Sequence, residues 1–176
     1  MLFIEEPHLI RVHTMAEETQ PDAQDDVIKQ GVRPQKIYIK DSSFECPNSP
    51  AIFTLDWKPS MSFELSQKIN EIGENLYEII LVITLTAKVE ETTAYLAEIH
   101  QAGIFSINGF ENEALRRKQY VFCPRILYPF ASAAISDLVA KGGFPQLLLA
   151  PINFEKIYLK REHQPDDDND AQEDEV

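Results

Sequence analysis

The run Tyr77 to Glu90, YEIILVITLTAKVE, and its continuation Thr92 to Ile107, TTAYLAEIHQAGIFSI, decide how this chain folds. In an extended chain, successive side chains point to opposite faces. Tyr77, Ile79, Leu81, Ile83, Leu85 and Val89 then share one face, while Glu78, Thr84, Thr86, Lys88 and Glu90 share the other. A helix would scatter the same residues around its axis. The second run returns after Glu90-Glu91, so the two predict a long antiparallel hairpin with one face buried.

Toward the N-terminus the period of two persists. Ile37 and Ile39 alternate with Tyr38 and Lys40; Met61, Phe63 and Leu65 alternate with Ser60, Ser62, Glu64 and Ser66. Both segments read as strands. Between them SSFECPNSPAIFTLDWKP, Ser42 to Pro59, carries Pro47, Pro50 and Pro59, which remove backbone donors and interrupt regular pairing. It reads as a long loop with unusual apolar mass in Phe44, Ile52, Phe53, Leu55 and Trp57, either folded over the core or kept for function. Four strands without intervening helices predict a meander-like antiparallel sheet, covered on one face. The residues before Gln35 show no apolar period. Residues 1–34 are therefore expected to be a disordered extension, and the polar stretch that opens at Met15 marks Met15 as a candidate true start.

Toward the C-terminus the period changes. After a short candidate helix at Glu111 to Arg117, CPRILYPFASAAISDLVAKGG places Ile126, Phe130, Ala134 and Leu138 at every fourth position, with Leu127, Ala131, Ile135 and Val139 beside them. This is one wide apolar stripe. Pro124 suits the first turn and Gly142-Gly143 the C-terminal stop, while Pro129 is expected to kink the helix or delay its start. Sheet and stripe together offer more apolar surface than one chain of this length hides easily, which points to burial in an oligomer as an alternative to packing on the sheet alone. GGFPQLLLAPINFEKIY, Gly142 to Tyr158, then connects to a second helix from about Asn153 to His163. Residues 164–176 form an acidic tail that has nothing to bury and is expected to be disordered.

Composition narrows the function. Among 176 residues, 16 basic against 29 acidic side chains give a formal charge of −13, which argues against nucleic acid and anionic membrane surfaces as partners. No apolar run approaches the roughly 18 residues that span a bilayer, and Glu5, Glu6 and Pro7 interrupt any signal-peptide core, so the chain reads as cytoplasmic without direct membrane insertion. Cys46 and Cys123 stand far apart and support neither a disulfide framework nor a metal site. His8 and His13 lie in the N-terminal extension, His163 opens the tail, and His100 stands alone on a strand, where a structural role is favoured over a general base. No nucleophile elbow, zinc-binding helix motif or phosphate-binding loop is present. A non-enzyme is expected.

Several long motifs in order now carry a resemblance: KIYIKDSSFECPNSP (Lys36 to Pro50), Asp56-Trp57, LYEIILVITLTA (Leu76 to Ala87), AGIFSI (Ala102 to Ile107), CPRILYPFA (Cys123 to Ala131) and GGFPQLLLAPINF (Gly142 to Phe154). Over roughly residues 35–160 the chain resembles the SecB family of protein-export chaperones. The resemblance implies an α+β fold, a four-stranded antiparallel sheet with a long helix and a C-terminal helix packed on one side, over residues 35–163. It implies a homotetramer, a dimer of dimers, that holds unfolded precursor polypeptides without cofactor and delivers them to the translocation motor SecA. Carried over by position, the SecA contact falls on Asp41, Glu45, Leu96 and Glu98. Phe44, Phe53, Trp57, Phe144, Leu147 and Leu149 would line a client groove, and Ile126, Phe130, Ala134 and Leu138 would be buried between dimers. The acidic tail, Asp166 to Glu175, would meet the basic, zinc-bearing end of SecA. Ala102 departs from the family, which usually has a second glycine there; this matters only if the position needs positive φ. Rival readings are a variant of the same fold dedicated to one partner, such as a toxin-antitoxin system, or a non-catalytic assembly subunit, and, from another class, a small-molecule enzyme with a single deep pocket.

Overall fold

The computed structural model describes residues 30–163 and places the predicted hairpin at the centre of a four-stranded antiparallel sheet. The strands are β1 (Gly31–Glu45), β2 (Pro59–Gly73), β3 (Leu76–Val89) and β4 (Thr92–Asn108). Two-residue turns at Glu74-Asn75 and Glu90-Glu91 join β2 to β3 and β3 to β4, with Asn75 and Glu90 at φ of 54° and 55°. The expected N-terminal segment up to residue 29, with Met15, His8 and His13, and the acidic tail 164–176 lie outside the described residues.

Three details differ from the sequence reading. A meander would set β1 beside β2, but the sheet order is β1-β4-β3-β2, a Greek key in which residues 46–58 cross the end of the central hairpin. Asn48 Nδ2 donates to the Thr93 carbonyl at 2.9 Å, and Ile52, in a 3₁₀ turn at Ala51–Thr54, is buried, so the crossing is fastened to β4 and to the core. Second, Ser42–Glu45 are not loop: they continue β1 and pair with Leu96 to Ile99, since the interrupting prolines begin only at Pro47. Third, β1 begins at Gly31 rather than near Gln35, because Val32 packs on the core as a single apolar residue that creates no visible period.

Helices cover one face of the sheet. α1 (Asn112–Arg117) runs through a π-helical turn, Lys118–Phe122, into α2 (Cys123–Lys141); α3 (Phe154–His163) follows after residues 144–153, which form neither helix nor strand. In α2, Leu127, Ala131, Ile135 and Val139 are fully buried in one core with Ile79, Leu81, Ile83, Leu85, Ile99 and Phe105. Burial of each large branched side chain contributes roughly 1.5–3 kcal/mol. Gly103 allows this close seating, since a Cβ there would stand 2.6 Å from the Phe105 ring and 2.9 Å from Leu127. Pro129 neither delays nor ends the helix; it sits on the exposed side, where the Arg125 carbonyl that loses its partner is on the solvent-facing side of the helix. The predicted wide stripe divides in two: Ile126, Ala134 and Leu138 are only partly buried, and Phe130 remains 50% exposed.

The opposite face is not uniformly wet. Ile80, Val82 and Ala102 form a second small cluster beneath Tyr38. Ala102 sits in β4 and is not among the residues with positive φ, so the missing glycine carries no backbone strain.

Candidate functional site

Two surfaces on opposite faces of the sheet contain most of the candidate residues. On the outer face, away from the helices, the β1–β4 ladder pairs Asp41 with His100, Ser43 with Glu98, and Glu45 with Leu96. Asp41, Glu45, Leu96 and Glu98 therefore share one face. A register shift between Ile39 and Asp41 makes this possible: the extra residue, Lys40, reverses the inside-outside parity of everything after it. Tyr38 and Asp41, three apart, both face outward, and Phe44 turns inward.

Glu98 is held at both carboxylate oxygens. Thr84 Oγ1 donates to Oε2 at 2.8 Å, and His100 Nε2 lies 2.7 Å from Oε1. These partners, Thr84 first, keep its pKa below the usual carboxylate range despite partial burial. Further along the same face Glu78 is buried and receives Lys40 Nζ at 2.7 and 2.8 Å, the Tyr38 hydroxyl, and Asn70 Nδ2 at 2.9 Å. Those donors, led by Lys40, hold Glu78 down to about 2, and the bond to Glu78, with burial, pushes Tyr38 up to about 12. The network ties edge strands β1 and β2 to β3.

On the helix-bearing face, at the end where the chain crosses the hairpin, lies an aromatic cluster. Phe144 is its centre, with ring centroids 4.9 Å from Tyr95, 5.1 Å from Phe53, 5.2 Å from Trp57 and 6.3 Å from Phe44. Phe44 and Trp57 also stack on Tyr95 at 5.6 and 6.4 Å. The cluster is graded from inside to outside: Tyr95 is 1% and Phe144 6% exposed, Phe44 and Trp57 are half-buried, and Phe53 is 51% exposed. Exposed Leu55, Met61 and Phe63 extend this apolar region along the crossing segment and β2. Gly142 is needed here for space, because a Cβ would meet the Phe44 ring at 2.2 Å.

Leu147 and Leu149 do not join the aromatic cluster. They lie beside α2 in an open cleft of about 600 Å³, where Ser136 Oγ donates to the Leu147 carbonyl at 2.6 Å. Between them Leu148 is 83% exposed. Tyr95 was missed by the sequence reading, although its odd-numbered position on the inward face of β4 was the available signal.

Among the described residues no three His, Cys, Asp or Glu side chains are placed to hold a metal ion. Both cysteines are free thiols, and burial pushes Cys123 up to about 12. No helix among the described residues is long and apolar enough to cross a membrane. What the two surfaces offer is apolar contact on one face and ordered carboxylates on the other.

The family model for SecB, preprotein translocase subunit SecB, matches residues 25–165. The protein-export protein SecB of Methylococcus capsulatus is 54% identical over 127 residues, 72% of this chain and 82% of its own length. That of Nitrosococcus oceani is 52% identical over 132 residues, 74% of this chain and 80% of its own. Among solved structures, a SecB-like chaperone of Mycobacterium tuberculosis, in complex with a ChAD peptide from an antitoxin, has a TM-score of 0.56 at 15% identity, covering 69% of this chain and 90% of that one. That likeness concerns the fold. With a family model over most of its length and relatives at about half identity, the chain belongs to the SecB family of protein-export chaperones.

Proposed function

We propose that the protein is an ATP-independent holdase that keeps precursor polypeptides unfolded in the cytoplasm and delivers them to SecA. The observation that carries this reading is the graded aromatic cluster of Phe44, Phe53, Trp57, Tyr95 and Phe144, open at Phe53 and continuing into exposed apolar residues of β2. Such a surface binds by apolar burial, at about 25 cal/mol per Å², and without demanding a sequence. Among the described residues β2 pairs only with β3, so its outer edge also has backbone groups for an extended client. Together these favour clients by how long they stay unfolded.

In the same proposal SecA docks on the outer face through Asp41, Glu45, Leu96 and Glu98, carboxylates beside a partly exposed leucine, which suit a basic partner. The working unit is a dimer of dimers, with Ile126, Phe130, Ala134 and Leu138 buried between dimers; half-exposed Phe130 supports this. Leu147 and Leu149, along α2, would form a second stretch of client groove apart from the aromatic one. The acidic tail would add long-range attraction to a basic end of SecA.

A dedicated single-partner chaperone is the second reading, and the Mycobacterium tuberculosis fold neighbour with its antitoxin peptide supports it only as a fold likeness. Identities of 54% and 52% to protein-export proteins favour the first. Pull-down with purified SecA separates them: retention supports export, and absence of binding supports the dedicated role.

A further inference from the structure

The acidic residues of the outer face differ in how they are held. Asp41 and Glu45 are exposed, and among the described residues only the Ser42 backbone N–H, which donates to Asp41 Oδ1, is seen to bond either carboxylate. Glu98 is fixed at both oxygens, by Thr84 directly opposite it on β3 and by His100 two residues further along β4 on the same face. Because an ionised carboxylate only accepts, the imidazole nitrogen in this contact carries a proton. Each oxygen of Glu98 keeps a free lone pair for an incoming donor.

We propose that His100 is a positioning residue of this docking face: neutral, it presents Glu98 in one orientation to a basic partner; protonated, it cancels part of the charge that attracts that partner. The inference rests on the reading that SecA docks here. An imidazole is the side chain that changes charge between about pH 5 and 8. The groups that face it are Glu98 on β4, Asp41 opposite it on β1, Glu78 on β3, which Lys40 already neutralises, and Glu64 and Lys68 on β2. The helices pack on the other face and contribute none. Protonation would lower the charge of Asp41, Glu45 and Glu98 together by one, and the imidazolium would compete with the partner for Glu98. Both effects weaken docking as pH falls, by about two- to fivefold for charges this exposed.

The test measures SecA binding to the full chain by calorimetry at constant ionic strength, near pH 8 and near pH 5.8. Comparing variants removes the pH dependence that belongs to SecA. Between the two pH values, the wild type should lose about threefold more affinity than His100→Gln, which keeps a donor but does not titrate. His100→Leu, without a donor, should bind about threefold more weakly near pH 8. On a Glu98→Gln background, His100→Leu should cost nothing further near pH 8, because the positioning effect runs through Glu98. If His100→Gln shows the wild-type pH profile, the positioning role is overturned while the docking reading stands. If the wild type fails to bind SecA at either pH, the docking reading is overturned and this role with it.

Discussion

Glu45 of β1 stands directly opposite Leu96 of β4, so the ladder sets a carboxylate beside a half-buried leucine on the face that the helices leave open. Asp41 and Glu98 lie on the same face through the same register. Reversing one charge should therefore weaken docking without touching the client surface behind the sheet. Asp41→Lys and Glu98→Lys are each expected to reduce SecA affinity about fivefold, more at low salt, with client holding retained. Calorimetry at two salt concentrations, beside an aggregation assay, reads both; equal loss of the two activities would make the residues structural.

Glu78 gives the fold a specific acid limit. Its value is about 2 in the folded chain against 4.5 for a free carboxyl, so folding favours the ionised form. The stabilisation is present above pH 4.5 and is lost as pH falls toward 2. Glu78→Gln should cost about 2 kcal/mol at neutral pH and flatten this acid limb. Denaturant midpoints measured from pH 7 downward check it; an unchanged acid slope would show that Glu78 does not carry the effect.

The sequence contains one tryptophan, Trp57, and it stands 5.2 Å from Phe144 in the aromatic cluster. Its fluorescence therefore reports on that surface alone. Gly142→Ala places a Cβ on the Phe44 ring and should destabilise the chain by about 1–3 kcal/mol, with a red-shifted emission as the cluster loosens. Addition of an unfolded client should alter the wild-type emission. Emission that ignores both changes would place client binding elsewhere.

The two rows of α2 should behave differently. Leu127→Ala removes a fully buried side chain and is expected to cost about 2–5 kcal/mol of stability. Phe130→Asp changes a half-exposed side chain, so the fold should survive while the assembly falls from tetramer to dimer by native mass spectrometry. A wild type that is itself monomeric would refute the dimer of dimers.

Much of this was legible in the residues. Period two placed Tyr77, Ile79, Leu81, Ile83, Leu85 and Val89 on the buried face, and all six are in the core. A period assigns faces, however, not neighbours, and nothing local in Ile37 to Lys40 says that β1 pairs with β4 rather than β2. The bulge at Lys40 is equally silent: unbroken alternation from Ile37 and Ile39 would turn Asp41 and Glu45 inward and Phe44 outward, the reverse of what is found. The long-range motif resemblance grouped these residues where alternation failed. Ile80 and Val82 show the other limit, since they point away from the helices and are still buried, under a tyrosine some forty residues earlier in sequence. Similarly, the aromatic content of the Ser42 to Pro59 stretch was visible, but its focus on Phe144 and Tyr95 depends on the Greek-key crossing.

Holding non-native polypeptide is the activity on which the proposed function depends. Light scattering of a slowly folding client, diluted from denaturant with increasing amounts of the full chain and without nucleotide, measures this directly. Aggregation should be suppressed at close to one assembly per client. Scattering that remains unchanged at several-fold excess would rule out the holdase function.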